Sequence, residues 1–323
     1  MLHRTIAISI ASLAVFAGWA CSSSSPQCQV GADCASGACD SSGHCVPVTT
    51  GGDDSGSSTL EASVEAGVES STEASSGGGE GGICQPNNDG VVTLAELPMA
   101  AGLHANFLIA ENVTMNTAGT AEPDGTIDWD FSAALSGDHT VIITTDALTG
   151  QWFASQFTSA TYTSKLSDTE TFLGVYQGTT SGLLLQGVVT PTTTSPETDV
   201  SYTPPAEIID VPLQVGTTWT STSTVKGTAD GIPDSTYTEK YASVVDAKGT
   251  LKVPYGTFQV LRVQTTLTRT VVPLTDIETT QTMTFVAECF GPVARLTSQT
   301  TTAPEAVPGN AFTSVAEAWR LSP

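Results

Sequence analysis

The feature that most constrains this chain is a period of two that runs through its last two thirds. In Thr126-Ile127-Asp128-Trp129-Asp130-Phe131, the residues Ile127, Trp129 and Phe131 share one face, and Asp128 and Asp130 share the other. Comparable runs, dense in Thr and β-branched residues and separated by turn signals, cover 139–145, 151–157, 171–177, 183–190, 217–225, 236–245, 258–272, 279–288 and 293–300. No amphipathic crossover helix separates them, so parallel pairing lacks its connections. The pattern predicts an all-β body over 84–323, an antiparallel curved sheet or β-sandwich. The stretches 190–205 and 230–235 read as loops, and the first is a candidate internal boundary. The helix candidate is 93–101, opened by Thr93-x-x-Glu96 and limited by Pro98.

The residues before this body are organised differently. His3 and Arg4 precede an apolar run from Ile6 to Trp19, too short for a comfortable span and laid out as a cleaved export signal over 1–20. Cys28-x5-Cys34-x4-Cys39-x5-Cys45 follows as a small module at 28–45, with almost nothing apolar to bury. Disulfides are the expected support in an oxidising compartment; zinc, with His44 beside Cys45, is the alternative. Residues 46–83 hold Gly, Ser, Thr, Ala and acid without Lys, Arg or aromatics. Glu61, Glu65, Glu69 and Glu73 recur every fourth residue there and repel one another on a helix, so this is a disordered, self-extending linker. Cys84 and Cys289 are the two cysteines left for the body, and their pairing would make it one unit.

The net charge is −23, from 33 acidic and 10 basic residues. Such a chain repels the phosphate backbone, which excludes nucleic acid as a partner.

Three constellations carry possible chemistry. In Cys84-Gln85-Pro86-Asn87-Asn88-Asp89-Gly90-Val91-Val92-Thr93-Leu94-Ala95-Glu96, Gly90 falls at the turn position of a calcium loop. Gln85, Asn87 and Asp89 then fall at its side-chain ligand positions, Val91 at its carbonyl position and Glu96 at its closing position. Neutral Gln85 replaces the usual acid and Pro86 stiffens the approach, so the same letters fit a capped turn better, and no cofactor is expected. Asp128 and Asp130 form a carboxylate pair of the kind that hydrolyses glycosides, set against the plainer reading of acids on a wet strand face. Among the histidines, His104 and His139 show no metal-ligand spacing, and the chain has no HExxH, no GxSxG and no Gly-rich phosphate loop. Arg262 and Arg295 are scarce cations expected to pair acids.

Three resemblances add to this. Phe16-Ala17-Gly18-Trp19-Ala20-Cys21 resembles a bacterial lipoprotein box, with Gly18 where Leu is usual; this implies a lipid on Cys21, a Ser tract to residue 27, and membrane attachment through that lipid. The small residues equally suit ordinary signal cleavage and an unlipidated product. Removing Cys21 leaves an even six among the seven cysteines, Cys28, Cys34, Cys39, Cys45, Cys84 and Cys289. The small module resembles Cys-rich stubs of exported myxobacterial proteins. The sequence Val215-Gly216-Thr217-Thr218-Trp219, followed by Gly249 to Val263 and Phe285 to Arg295, resembles exported β-rich bacterial proteins, some of them distantly like periplasmic lipid carriers. That implies fold and compartment and transfers no catalytic residue.

The resulting expectation is a non-enzymatic lipoprotein of the outer membrane or cell surface, presenting a β-rich domain to a protein, glycan or lipid. The alternative is a carrier or sensor of an apolar ligand, suggested by Leu183 to Val189, which is apolar on both faces. An extracellular hydrolase using Asp128 and Asp130 stands third.

Overall fold

The computed structural model describes residues 84–193, 196–271, 276–302 and 311–323. The export signal, Cys21 and the Ser tract, the 28–45 module and the 46–83 linker lie outside the described residues.

The strands are β1 (Val91–Val92), β2 (His104–Thr114), β3 (Thr120–Ala121), β4 (Ile127–Asp130), β5 (His139–Asp146), β6 (Tyr162–Lys165), β7 (Leu173–Thr179) and β8 (Gly182–Val189). They continue as β9 (Asp199–Asp210), β10 (Leu213–Gln214), β11 (Thr218–Ala229), β12 (Ile232–Val253), β13 (Gly256–Val271), β14 (Asp276–Ala287), β15 (Gly291–Ser298) and β16 (Ser314–Leu321). The all-β, antiparallel expectation holds, and the curved sheet closes on itself. The order β11-β9-β8-β7-β6-β5-β2-β16-β15-β14-β13-β12 returns to β11, giving a twelve-strand antiparallel barrel. Closure removes the sheet edges that an open sheet of this width would leave exposed.

The turns are those the sequence announces. Pro254-Tyr255 joins β12 to β13, with Val253 opposite Gly256, and Asp230-Gly231 joins β11 to β12. As the alternation predicts, Leu261 and Val263 point inward, whereas Val260 and Arg262 point outward.

The outer face of β12–β16 is not left to water. β4 runs parallel to the end of β12, with Ile127 opposite Gly249 and Trp129 opposite Leu251. A β-carbon on Gly249 would collide with the Ile127 carbonyl, so only glycine lets β4 come this close. Trp129 and Phe131 then meet Phe285 edge-on at 5.1 and 5.3 Å in a buried cluster with Met283, Leu296 and Ala294. Two buried arginines hold this flap. Arg262 donates to the Thr117 carbonyl at 3.0 Å, and Arg320 donates to the Phe131 and Ala133 carbonyls at 3.1 and 2.6 Å and to Asp138.

The chain start plugs one end of the barrel. Val92 and Leu97 pack with Leu213, Trp219, Val245, Leu261, Val263 and Val286, and Cys84 is disulfide-bonded to Cys289 in the β14–β15 turn, 205 residues on.

Several expectations need correction. Instead of a helix over 93–101 there is one 3-10 turn, Leu94–Glu96, because Pro98 cannot continue it. The predicted strand at 151–157 is a run of turns. Its Phe153 and Phe157 pack on the outer side of β7 and β8 with Val175 and Val189, with ring centroids 6.4 Å apart, whereas four residues of extended strand would separate them by about 13 Å. The stretch 190–205 runs into β9, which is hydrogen-bonded to β8 on one side and β11 on the other, so the strand set is continuous across it. Pro204 and Pro205 are tolerated because the ladder to β11 ends at Thr203 and the ladder to β8 bulges between Ser201 and Ala206.

Candidate functional site

The would-be calcium loop uses its oxygens on itself. Asn87 Oδ1 accepts from Asp89 N–H at 2.9 Å, and Asp89 Oδ1 accepts from Val91 N–H at 2.8 Å. Glu96 turns back to accept from the backbone and hydroxyl of Thr93, both at 2.8 Å, which is the capping-box geometry. The N–H groups of Asn87 and Asn88 go to the Glu288 carboxylate at 2.7 and 2.8 Å, and the Lys248 ammonium lies beside Gly90. Among the described residues, no group of three or more acidic, His or Cys side chains converges as a metal site.

Asp128 and Asp130 lie exposed on the outward side of β4, as the alternation predicts, and Trp129 between them is buried. A cleft of about 310 Å³ opens beside them, bounded by Met115, Asn116, Thr120, Leu135, Thr250 and Lys252. Asp130 accepts from the Ser132 hydroxyl and N–H at 2.6 and 3.1 Å. Those bonds hold its carboxyl below the usual carboxylate range. Glycoside hydrolysis needs one carboxyl raised so that it can donate a proton, and Asp130 is driven the other way. Trp129, which borders the cleft, is 2% exposed; its indole N–H donates to the Thr117 carbonyl at 3.2 Å and the Arg262 guanidinium lies 5.1 Å from its ring centroid.

The barrel interior holds chemistry that patterning alone did not reveal. Inward-facing Glu239, 1% exposed, accepts from Tyr202 and Tyr241 hydroxyls at 2.8 and 2.6 Å and from Arg269 at 2.8 and 3.0 Å. Burial, and then the Glu239 charge, push the Tyr202 hydroxyl well above the usual phenol range. This cluster draws residues from β9, β12 and β13, with β11 between the first two, and its donors and acceptors match. Its signal in the sequence was the series Tyr237, Glu239, Tyr241 at period two.

A second inner cluster is less complete. Arg295 on β15 stacks 3.8 Å over the Trp319 ring on β16, donates to the Leu166 carbonyl at 2.6 Å, and reaches Glu317 at 3.4 Å. Glu317 is also held by the Ser167 hydroxyl at 3.0 Å and the Asp168 N–H at 2.5 Å. Burial lowers the Arg295 pKa despite Glu317, a sign that its charge is only partly compensated. Arg295 Nε and Trp319 Nε1 are both buried without a hydrogen-bond partner. Arg262 differs, being bonded through two nitrogens to Asp246 at 3.0 and 2.7 Å, as expected of a structural pair.

His139 sits at the rim of this cluster. Its Nε2 is 2.5 Å from Asp168, which also binds Lys165, and its Nδ1 faces the Gly137 carbonyl at 3.1 Å. With both ring nitrogens engaged this way, it is not aimed at a serine. His104 opens β2 on the surface. Of the predicted disulfide cysteines, Cys84 and Cys289 are joined, and the other four lie outside the described residues.

Comparison with known proteins finds no matching family model, no matching curated protein and no matching solved structure.

Proposed function

We propose that this protein is a non-enzymatic binding lipoprotein, anchored through Cys21 at the outer membrane or cell surface and presenting the barrel to a ligand across an acidic stalk. The observation that carries the reading is the contrast between the two sides of the barrel wall. Outside, the large exposed hydrophobics among the described residues are only Leu94, Ile142, Val215 and Ile232. They are scattered, whereas a barrel immersed in lipid needs a continuous apolar band. Inside, charged pairs such as Glu239–Arg269 and Arg295–Glu317 are held within the wall, and Val141 and Ile143 on β5 are only partly buried.

Such a domain suits water beside a membrane, which is where a lipid on Cys21 and a self-repelling linker would hold it. The ionised Asp130 and the engaged His139 favour binding over hydrolysis, so Asp128→Asn is expected to abolish no activity. The ligand classes in view are protein, glycan and lipid.

Labelled palmitate supplied to expressing cells tests the anchor. Incorporation into the wild type but not into Cys21→Ala is expected; label in both, or in neither, overturns it.

A carrier reading draws less support from Leu183 to Val189 than the sequence promised. Leu185 packs inward with Tyr202 and Val200, while Val189 and Gly187 are covered from outside by Phe153 and Phe157. That run is apolar on both faces because protein covers both faces. The carrier reading draws support instead from the far side of the barrel.

A further inference from the structure

We infer that the barrel interior beneath β5 is a binding site for a monocarboxylate with an apolar tail, its head group taken by Arg295 and Trp319. The inference rests on the binding-domain reading above and names its site and ligand chemistry.

Register places the groups together. One inner row crosses four strands as His139, Ile109, Trp319 and Arg295, and the next as Val141, Phe107 and Leu321. Residues in adjacent rows on one face of a sheet are neighbours. The polar end of the first row therefore lies beside an apolar surface. Tyr176, on the opposite part of the ring, feels the Arg295 charge, which only the inner face permits. Burial pushes its hydroxyl up to about 12, so it stays protonated as a donor.

Two observations point to a ligand and not merely to a core. The first is the pair of buried N–H donors, Arg295 Nε and Trp319 Nε1, without acceptors; Trp319 is only 4% exposed. A buried unsatisfied donor carries a desolvation penalty that an acceptor relieves. The second is on β5, where Val141 and Ile143 face inward against the core cluster yet are only partly buried, next to fully buried Ile109. Apolar side chains left accessible on the inside of a barrel wall border space that the protein itself does not fill.

The charge of the ligand follows from the neighbours. Arg295 supplies one positive charge, and Glu317, 3.4 Å from it, stands close enough to repel a second negative one, while the Asp168 carboxylate is taken up by Lys165 and His139. A single carboxylate satisfies the guanidinium Nε and the indole N–H, and a phosphate dianion would meet Glu317. The path inward is the β5–β6 seam, whose ladder consists of Thr145–Ser164 and Asp146–Thr163 alone.

The test uses the full chain carrying Cys21→Ala, secreted without lipid, so that loss of anchoring and loss of binding are separate outcomes. Sodium decanoate and decanol are titrated by calorimetry. Decanoate is expected to bind at least about tenfold more tightly than decanol, and Trp319→Phe, which keeps the ring and removes the donor, to weaken decanoate by about tenfold or more. Arg295→Gln should erase the preference for acid over alcohol. Equal affinity for the two in the wild type, no decanoate binding at millimolar concentration, or an unchanged Trp319→Phe each overturns the proposal. Ile142→Ala, on the outer face of the same strand, should bind as the wild type does; loss of binding there would move the site outside and overturn it as well.

Discussion

The β12–β13 wall and the β5–β6 seam belong to one ring and are built on opposite principles. Along the wall, pairing runs from Tyr237–Val271 to Val253–Gly256, interrupted only where Asp246 bulges out to meet Arg262 and Gln264. Its inner side carries the saturated Glu239–Arg269–Tyr cluster, and the Trp129–Phe285 core covers its outer side at the end where β4 pairs with β12. At the seam the ladder is two residue pairs long, the inward residues Val141 and Ile143 are only partly buried and the outer face is wet. What closes the seam is side-chain chemistry: His139 and Lys165 on Asp168, and Ser167 and Asp168 on Glu317. A closed barrel needs every neighbour paired, but not equally. Rigidity concentrated in one wall leaves another part of the ring free to open.

The largest expected effect tests whether the disulfide belongs to the rigid side. Cys84–Cys289 closes a loop of 205 residues onto the β14–β15 turn, and the entropy removed from the unfolded chain is worth on the order of 5 kcal/mol. Cys84→Ala should lower the urea unfolding midpoint accordingly while leaving decanoate affinity intact. A loss below about 1 kcal/mol would show that the plug is held by Val92, Leu97 and Leu213 instead.

Next comes a matched pair. Phe285→Ala removes a fully buried ring from contact with Trp129 and Phe131 and should cost about 3–5 kcal/mol. Ile142→Ala, 63% exposed on the seam strand, should cost less than about 0.5 kcal/mol. Similar losses at the two positions would erase the distinction between wall and seam.

The smallest effect is the pH response of the latch. The hydrogen bond to Asp168, then that to the Gly137 carbonyl, raise the His139 pKa above 6.5. A raised histidine pKa contributes stability that is complete below the unfolded value of 6.5 and is lost as pH climbs through the folded value. For Asp168, burial is the largest influence and opposes ionisation, but the bonds from Lys165 and His139 outweigh it and its pKa falls. Its contribution is present above its unfolded pKa and is lost only in acid. The latch is therefore strongest in the window between the two. Amide protection of 162–172, corrected for intrinsic exchange, should drop as pH rises above 6.5, modestly because His139 is half exposed. His139→Gln should flatten that dependence; an unchanged profile would remove His139 from the latch.

Much of the barrel was legible wherever alternation was clean. Ile127-Asp128-Trp129-Asp130 declared its faces correctly, and Pro254-Tyr255-Gly256 marked its hairpin. β2 and β16 were overlooked although Val315, Glu317, Trp319 and Leu321 alternate, because a charged Glu317 and a charged Arg320 fall on buried sides of the strand. β9 hid behind two prolines, which a strand accepts only at a bulge. Gln151 to Phe157 imitated a strand because aromatic residues are as welcome in a coil packed on a sheet as in the sheet itself.

The site was less legible than the fold for a related reason. Arg295 was singled out as scarce, but its neighbours come from β16 and the β6–β7 loop, far along the chain and adjacent only after closure. Short-range patterning and turn chemistry depend on residues within a few positions of each other, and from them the all-β class and the main hairpins followed. Which face is inner, which arginine is saturated and which is left with a spare donor, and where the ring is thin depend on contacts across more than a hundred residues. Those were decided when the sheet closed, because only closure defines an inside in which a charge must find its partner.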